Sequence, residues 1–599
     1  MTKVDVLLKR IIFVKFLKSL SLFFLLQSCT FSSKLSVNLA PNQTLKDKVV
    51  EATEGVVAAS HPLASEAGVL ILKQGGNAID AALAASFAIS VLRPQSTGIG
   101  GGGFALVYKK ESGKVIAYDF RERAPLQASE KMYQNKDGSL KEFFYKKKKV
   151  GLAAHSGHQS VGVPGMIAGL LEMHKKHGTL PLSKIMEPAI QLAENGFPIY
   201  RRLVNAIKDE EHVLRSFPQT RKIFFPNDKV PKEGDLFVQK ELAHTLSLIA
   251  SQGEYVFYHG KIAHDIVSEM KQGGGVISLK DFENYKVKIS EPITTDYRQY
   301  RVVGMPLPSS GGIHIIQILN MLSEDDIYAL KHNSVEYLHL LVECMRRAYA
   351  DRAEYLGDPD FYKVPIKGLL SKNYALSLRK SIDPKHATPS IKLKAGQPFN
   401  YESPSTSHIS TVDKWGNSVS TTHTINDIFG SGVTVDGMIL NNEMDDFSSK
   451  PGTPNSYGLV GSQANAIAPG KTMLSSMSPT MVFDEKGELK WVLGAPGGPR
   501  IITATLQTLI NVIDFKMPLS EAVQADRVHH QWLPDEVYYE ENGLSPKVIK
   551  GLSEEAYQLK TSNFTFGDIQ ALERLKNGNW VGVSDKRSDG EPRGVHETH

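Results

Sequence analysis

The chain has only two cysteines, Cys29 and Cys344, in 599 residues, and no CxxC or HExxH pattern occurs. Those spacings are what compact metal sites are built from, so no metal and no cofactor is expected. No solenoid-type repeat is present. The apolar run in "LSLFFLLQSC" (Leu20 to Cys29) is too short to cross a bilayer as a stable helix. Excess charge is also scarce. Of the formal +5, residues 1–28 supply +4, through Lys3, Lys9, Arg10, Lys15 and Lys18 against Asp5, leaving about +1 for the rest. That balance gives no nucleic-acid footprint. The basic run Lys146 to Lys149 reads as a solvated loop or turn.

A hydrophobic share of 41% with a charged share of 22% is that of a soluble globular protein. The length exceeds what one core supports, although large α/β enzymes do form one continuous unit. The start of the chain has the order of a secretory signal: basic residues, a short apolar run, then small residues. Retention of this segment as an anchoring helix is the alternative. "Leu26-Gln27-Ser28-Cys29" resembles a bacterial lipobox, in which Cys29 would be lipidated and become the new N-terminus. Cys344 would then have no disulfide partner. It lies in "VEYLHLLVECMRRAYADRAEY", where Val335, Leu338, Val342, Met345 and Tyr349 recur at helical spacing, so an inert core thiol is expected.

Residues 30–50 are polar and mixed, as a tether would be. A helix is expected from about Pro62 to Gln74, ending at Gly75-Gly76, and a second, Ala-rich helix after Asn77. The section from about 160 to 290 is dominated by amphipathic patterns such as "GMIAGLLEMHKKHG" and "QKELAHTLSLIASQG". From about Ser407 the pattern changes. "HISTVDKWGNSVSTTHT" reads as two alternating strands joined at Trp415-Gly416-Asn417, and "TMVFDEKGELKWVLGAP" repeats the scheme around Lys486-Gly487. "PRIITATLQTLINVIDF" follows as a helix behind that hairpin. Strand pairs flanked by helices imply sheets covered by helices.

Two glycine clusters need a reason. "GIGGGGF" lies between a helix and a strand, the reverse of a dinucleotide fingerprint. "VLGAPGGPRIITATLQ" has the order strand, Gly497-Gly498, helix, but not the GxGxxG spacing. A glycine pair at a helix start can point N–H groups at a phosphate or a developing oxyanion, or can simply make a tight turn.

The pieces "GIGGGGF", "DFRERAP", "GVPG", "PLPSSGGIHIIQILNML", "ADRAEYLGDPDF", "STSHISTVDKWGNSVSTTHTIN", "LNNEMDDFSSKPGTPN" and "LSSMSPTMVF" occur in one order over roughly residues 50 to 585. Together they resemble the bacterial gamma-glutamyltranspeptidases of the N-terminal nucleophile hydrolase superfamily. The resemblance implies an α+β fold, a four-layer αββα sandwich, and one precursor cut between Ser405 and Thr406. Residues 1–28 would be a signal peptide, 29–405 the large subunit and 406–599 the small subunit. Thr406 would be the nucleophile. An N-terminal threonine carries its own base, an α-amine with a pKa of about 8, so no histidine is needed. His408 and His423 are expected to be packing residues, and Thr411, Thr421 and Thr422 ordinary strand residues.

The resemblance also implies roles for a γ-glutamyl substrate. Thr424 would hydrogen-bond the nucleophile, and Gly497 and Gly498 would form the oxyanion hole. Arg121 would bind the α-carboxylate as a planar fork, together with Ser475 and Ser476. Asn426, Glu443 and Asp446 would hold the α-amine. Arg123 is left out of the set. "KPGTPNSYGLV" corresponds to a lid loop with Tyr457 as its aromatic, able to exclude water from an acyl-enzyme. The implied substrates are glutathione and other γ-glutamyl compounds, with water, amino acids or dipeptides as acceptors, in the bacterial periplasm and with a lipid anchor at Cys29 as an option. A glutaryl or cephalosporin acylase of the same superfamily is the alternative. An unprocessed, inactive binding lipoprotein is the alternative from another class.

Overall fold

The strands after Ser407 are the middle of the molecule. In the computed structural model, Ser407–Asp413 pairs antiparallel with Ser418–Thr424, with Ile409 opposite Thr421. Asp413 shapes the turn, its Oδ1 accepting from the N–H groups of Trp415 and Asn417 at 3.0 and 2.9 Å, and Gly416 takes φ +83°. Every residue of both strands is buried. Successive side chains point to opposite layers. Thr411 donates to the carbonyl of Ala78 in a covering helix, whereas Ser410 donates to that of Gln570 in a second sheet. With both faces buried, the hydroxyls of the hairpin are mostly paired inside the core, although Ser407 Oγ has no partner among the described residues. Thr421 donates to Phe104 O and Ser418 to Thr411 O.

The structure describes residues 45–145, 147–396, 407–450, 452–456, 458–459, 462–562 and 566–597. Chain contacts divide at residue 39, and all that is described belongs to the unit Ala40–His599. The signal segment, Cys29, Ser405, Thr406 and Tyr457 lie outside the described residues.

The hairpin sits third and fourth in a seven-stranded sheet. Its order is Arg593–Val595, Gly55–Ala59, Ser407–Asp413, Ser418–Thr424, Gly102–Lys109, Lys114–Phe120 and Lys288–Ser290. A second seven-stranded sheet runs Val49–Ala52, Trp580–Ser584, Gln570–Arg574, Leu489–Gly494, Thr480–Phe483, Tyr300–Gly304 and Ile293–Tyr297. The sheets stack, Val412 and Leu106 of the first packing with Val492, Leu493 and Leu572 of the second. Helices Pro62–Lys73, Ala78–Leu92 and Met166–His177 cover the first sheet, while Gly311–Met321 and Pro499–Ile513 cover the second, with Val335–Tyr355 packed on Gly311–Met321. The layers are helix, sheet, sheet, helix, the expected αββα sandwich.

The expected helices and hairpins form. Asn77 caps Ala78–Leu92 in a capping box with Asp80. Cys344 is fully buried and burial pushes its thiol up to about 12, so it is inert. His408 and His423 are fully buried and pushed down to about 3 by burial, hence neutral packing groups. One expectation needs correcting. The tether does not reach residue 50, because Val49 and Val50 already pair with Val583 and Gly582 at the edge of the second sheet. Two β-branched residues favour the strand there.

"GIGGGGF" has a steric purpose. A Cβ on Gly101 would lie 1.9 Å from the carbonyl oxygen of Thr424, and one on Gly103 2.4 Å from that of Thr422. The loop presses its backbone against the end of the central hairpin. Gly101→Ala is expected to cost about 1–3 kcal/mol through this overlap. Scanning calorimetry would register the cost as a lower Tm, and an unaltered Tm would show that the loop simply gives way.

Candidate active site

Arg121 stands one residue beyond the strand Lys114–Phe120, its N–H held by Asp119 Oδ1 at 2.9 Å. Its side chain is buried and engaged on both arms. Nη1 donates to Glu443 Oε1, and Nη2 donates to Asp446 Oδ2 and, at 3.1 Å, to the carbonyl of Leu474. Both acids come from one 3-10 turn, Glu443–Asp446, so two carboxylates three residues apart reach a single guanidinium. Burial opposes the charge on Arg121, but Glu443 and Asp446 more than offset it and hold its pKa above the ordinary value. The Glu443 carboxyl is raised well above the usual range by burial, against the pull of Arg121. Glu122, 3.7 Å from Arg121 Nη1 and fully buried, is pushed up to about 8 by burial. One arginine therefore faces three acids.

Ser475 and Ser476 follow the carbonyls of Met473 and Leu474 that face Arg121, so serines and guanidinium share one wall. A second arginine fixes this wall. Arg352 donates through Nη2 to Ser476 Oγ and through Nε to Ser310 Oγ at 3.0 Å, and Ser310 donates through N and Oγ to Ser475 O, each at 2.7 Å.

Asn426 follows the strand Ser418–Thr424 with φ +71°, a left-handed conformation that asparagine tolerates. Its N–H donates to Thr424 Oγ1 at 2.8 Å and its Nδ2 to Asn442 O at 3.2 Å. Its Oδ1 is buried without a hydrogen-bond partner among the described residues. Gly497 and Gly498 take φ +122° and +66° just before Pro499 opens the helix Pro499–Ile513, and neither N–H donates to a described residue. Gly497 lines a cleft of about 720 Å³, shared with Asp427, Ser456, Gly458 and Arg500.

Ser456, in the segment expected to be a lid, is tied to the acidic turn. Ser456 Oγ donates to Asp445 Oδ2 at 2.7 Å, and His155 Nε2 meets Asp445 Oδ1 at 2.9 Å. Burial alone would depress the His155 imidazole, but the Asp445 carboxylate lifts it to about 9. Asp427 beside them is pushed up to about 7 by burial and by Asp445.

The structure thus gathers Arg121, Glu443, Asp446, Ser475 and Ser476 at one place, links Asn426 to Thr424, and sets Gly497 at the cleft with Gly498 next to it in the chain. Arg123 turns away, stacking over Tyr285 and donating to Lys286 O. Several residues were not anticipated. Glu122 was adjacent to Arg121 in the same motif and could have been included. Asn441 joins the acidic turn to the glycine loop, accepting from Glu443 N at 3.0 Å and donating to Gly100 O at 2.8 Å. It stood in "LNNEMDD" without a local sign of its role. His155 and Arg352 had no sequence signal.

Stacked antiparallel sheets between helical layers, with the candidate site at the end of the central hairpin, are the αββα sandwich of the N-terminal nucleophile hydrolase fold. A cephalosporin acylase from Bacillus halodurans has the same fold, with a TM-score of 0.81 at 29% identity over 95% of this chain and all of that one. The family model of gamma-glutamyltranspeptidase matches residues 64–595, and the chain belongs to that family. It is 43% identical over 542 residues to a glutathione hydrolase proenzyme of Escherichia coli, 90% of this chain and 91% of the relative. It is 37% identical over 555 residues to the acylase ACY 1 proenzyme of a Pseudomonas strain, 92% of this chain and 95% of the relative.

The His155–Asp445 pair gives a pH test. The folded state lifts the imidazole from 6.5 to about 9, so the pair stabilises fully below pH 6.5 and fades as pH rises through 9. Between those limits the Tm of His155→Gln is expected to fall less steeply than that of the unsubstituted protein. Parallel Tm curves would mean that the pair contributes nothing.

Proposed function

We propose that this chain is a glutathione hydrolase and γ-glutamyl transferase, made as a precursor that cuts itself between Ser405 and Thr406. The observation that carries the reading is the buried meeting of Arg121 with Glu443 and Asp446. A γ-glutamyl group ends in an α-carboxylate and an α-ammonium. Such a zwitterion can exchange the internal pairs for equivalent ones, the carboxylate on the Arg121 fork with Ser475 and Ser476, the ammonium on Glu443, Asp446 and Asn426 Oδ1. The exchange leaves no buried charge unpaired, which would cost several kcal/mol. A glutaryl group carries the carboxylate alone and would add negative charge where three acids already surround one arginine. That argues against the acylase alternative.

In maturation, the Thr406 hydroxyl attacks the carbonyl carbon of Ser405. The C–N bond breaks, nitrogen takes the hydroxyl proton and becomes the α-amine, and an ester remains. Water hydrolyses the ester, leaving a Ser405 carboxylate and a free Thr406 hydroxyl. A helper role for Thr424 is supported by its place at the end of Ser418–Thr424, where the neighbouring His423 pairs with Ser407, the residue that follows Thr406 in sequence. In turnover, Thr406 Oγ attacks the γ-amide carbon while its own amine takes the proton. The N–H groups of Gly497 and Gly498 face the oxyanion, and the amine leaves with the proton. Water or an amino acid then releases the glutamyl group. The lid bearing Tyr457 shields the ester. Residues 1–28 direct export to the periplasm, with Cys29 as the point of lipid attachment.

Intact-mass analysis is expected to give two chains meeting between Ser405 and Thr406, and one uncut chain for Thr406→Ala. A Thr406→Ala protein that still separates into two subunits contradicts the nucleophile. Arg121→Ala is expected to lower kcat/KM for a γ-glutamyl anilide by roughly 100-fold, the loss of one buried charge pair. Faster turnover of glutaryl than of γ-glutamyl anilide by the unsubstituted enzyme would favour the acylase instead.

A further inference from the structure

Ten residues, 397–406, separate Gly396 from the strand that begins at Ser407. Both backbone polar groups of Gly396 are taken by side chains of one helix. Its N–H donates to Asp351 Oδ1 at 2.8 Å, and its carbonyl accepts from the Tyr355 hydroxyl at 2.6 Å. Asp351 and Tyr355 stand four residues apart on Val335–Tyr355 and share a face. The other Asp351 oxygen accepts from Gln317 Nε2 at 2.6 Å and from the Tyr374 hydroxyl at 2.8 Å, which locks the carboxylate in place. Tyr374 also closes the space over Gly396, since a Cβ there would lie 2.0 Å from its hydroxyl. Side chains from three helices, Gly311–Met321, Val335–Tyr355 and Lys372–Lys380, therefore converge on one glycine in an otherwise irregular stretch.

Burying a carboxylate among neutral donors is costly, and burial pushes Asp351 up to about 7. Loops are ordinarily left to solvent or to backbone pairing. Arg352, the next residue, turns the other way toward Ser310 and Ser476, so the contacts at Gly396 are separate from those at the Arg121 cluster.

We propose that Asp351, Tyr355 and Tyr374 form a clamp on Gly396 that positions the precursor segment for self-cleavage. This rests on the reading that the chain is cut between Ser405 and Thr406. Gly396 is held by the clamp, and Ser407 is held in the ladder opposite His423. Gly396 and Ser407, the described residues on either side of 397–406, are thus each fixed to a rigid element, and fixed flanks lower the entropy cost of bringing reacting groups together. These are positioning residues for maturation, and the mature enzyme does not need them to turn over substrate.

The test uses the full-length protein, pulse-labelled, with the appearance of the two fragments followed on denaturing gels. Gly396→Ala and Tyr355→Phe are compared with the unsubstituted chain, and Tm is measured for each. Gly396→Ala is expected to slow cleavage about tenfold or more, within the roughly 100-fold that a 1 Å displacement can cost. Tyr355→Phe should slow it less, and kcat/KM per cleaved molecule should stay at the unsubstituted value in both. Cleavage at the ordinary rate in both variants overturns the clamp. So does slow cleavage with an equal loss of kcat/KM per cleaved molecule and a lowered Tm, since that is the mark of general damage. If Gly396→Ala does not fold, Tyr355→Phe decides. An unsubstituted chain that is never cut before Thr406 fails in a different place, at the reading on which the clamp rests.

Discussion

The central hairpin is buried on both faces, and most of the structure follows from that constraint. A strand between a helix layer and a second sheet has no solvent face, so its polar side chains turn to the backbones and side chains around it. Thr411, Ser410, Thr421 and Ser418 do so. The same crowding forces Gly101 and Gly103 opposite the hairpin's end, where a methyl group would strike a carbonyl. The hairpin's end is also where Thr424 and Asn426 lie, so close packing and the candidate site occupy one edge. A well-packed edge holds reacting groups still, which is what a site built on geometry requires.

Charge is organised on the same edge by mutual neutralisation. Arg121 lies in the interior because Glu443 and Asp446 accompany it; the Glu443 N–H is held by Asn441, which bridges to the glycine loop, and the Asp446 carbonyl by Asn465. A guanidinium buried alone would be destabilising, and so would the acids. Held together, they form a set of opposite charges that a ligand with both charges can enter on equal terms. Arg352 serves the neighbouring wall in a different way, through the hydroxyls of Ser310 and Ser476.

Elements with local signals were legible from the residues alone. The helix Val335–Tyr355 had its apolar spacing, Ala78–Leu92 its capping asparagine, and the strands after Ser407 their alternation and a glycine turn. The layered αββα arrangement and the roles of Arg121, Glu443 and Ser475 came from the resemblance, because nothing local distinguishes them from other arginines, acids and serines. What stayed hidden depends on distant partners. His155 acquires its character from Asp445, and Asn441 from Gly100, each pair separated by hundreds of residues. "GIGGGGF" shows the limit clearly. Its composition suited a ligand loop, and only the neighbouring carbonyls of Thr422 and Thr424 reveal that packing requires it.

The strand order has one more consequence. In the first sheet, Ser407–Asp413 and Ser418–Thr424 lie between Gly55–Ala59 and Gly102–Lys109, and Arg593–Val595 closes the far side of Gly55–Ala59. In the second, Val49–Ala52 flanks one end of the later strands and Tyr300–Gly304 the other. A cut before residue 406 would divide the chain but not the sheets. The surface between the two products would be the hydrogen-bonded interior itself, threaded through both sheets. Separating them would require dismantling every layer, so a matured pair would not exchange subunits with its neighbours.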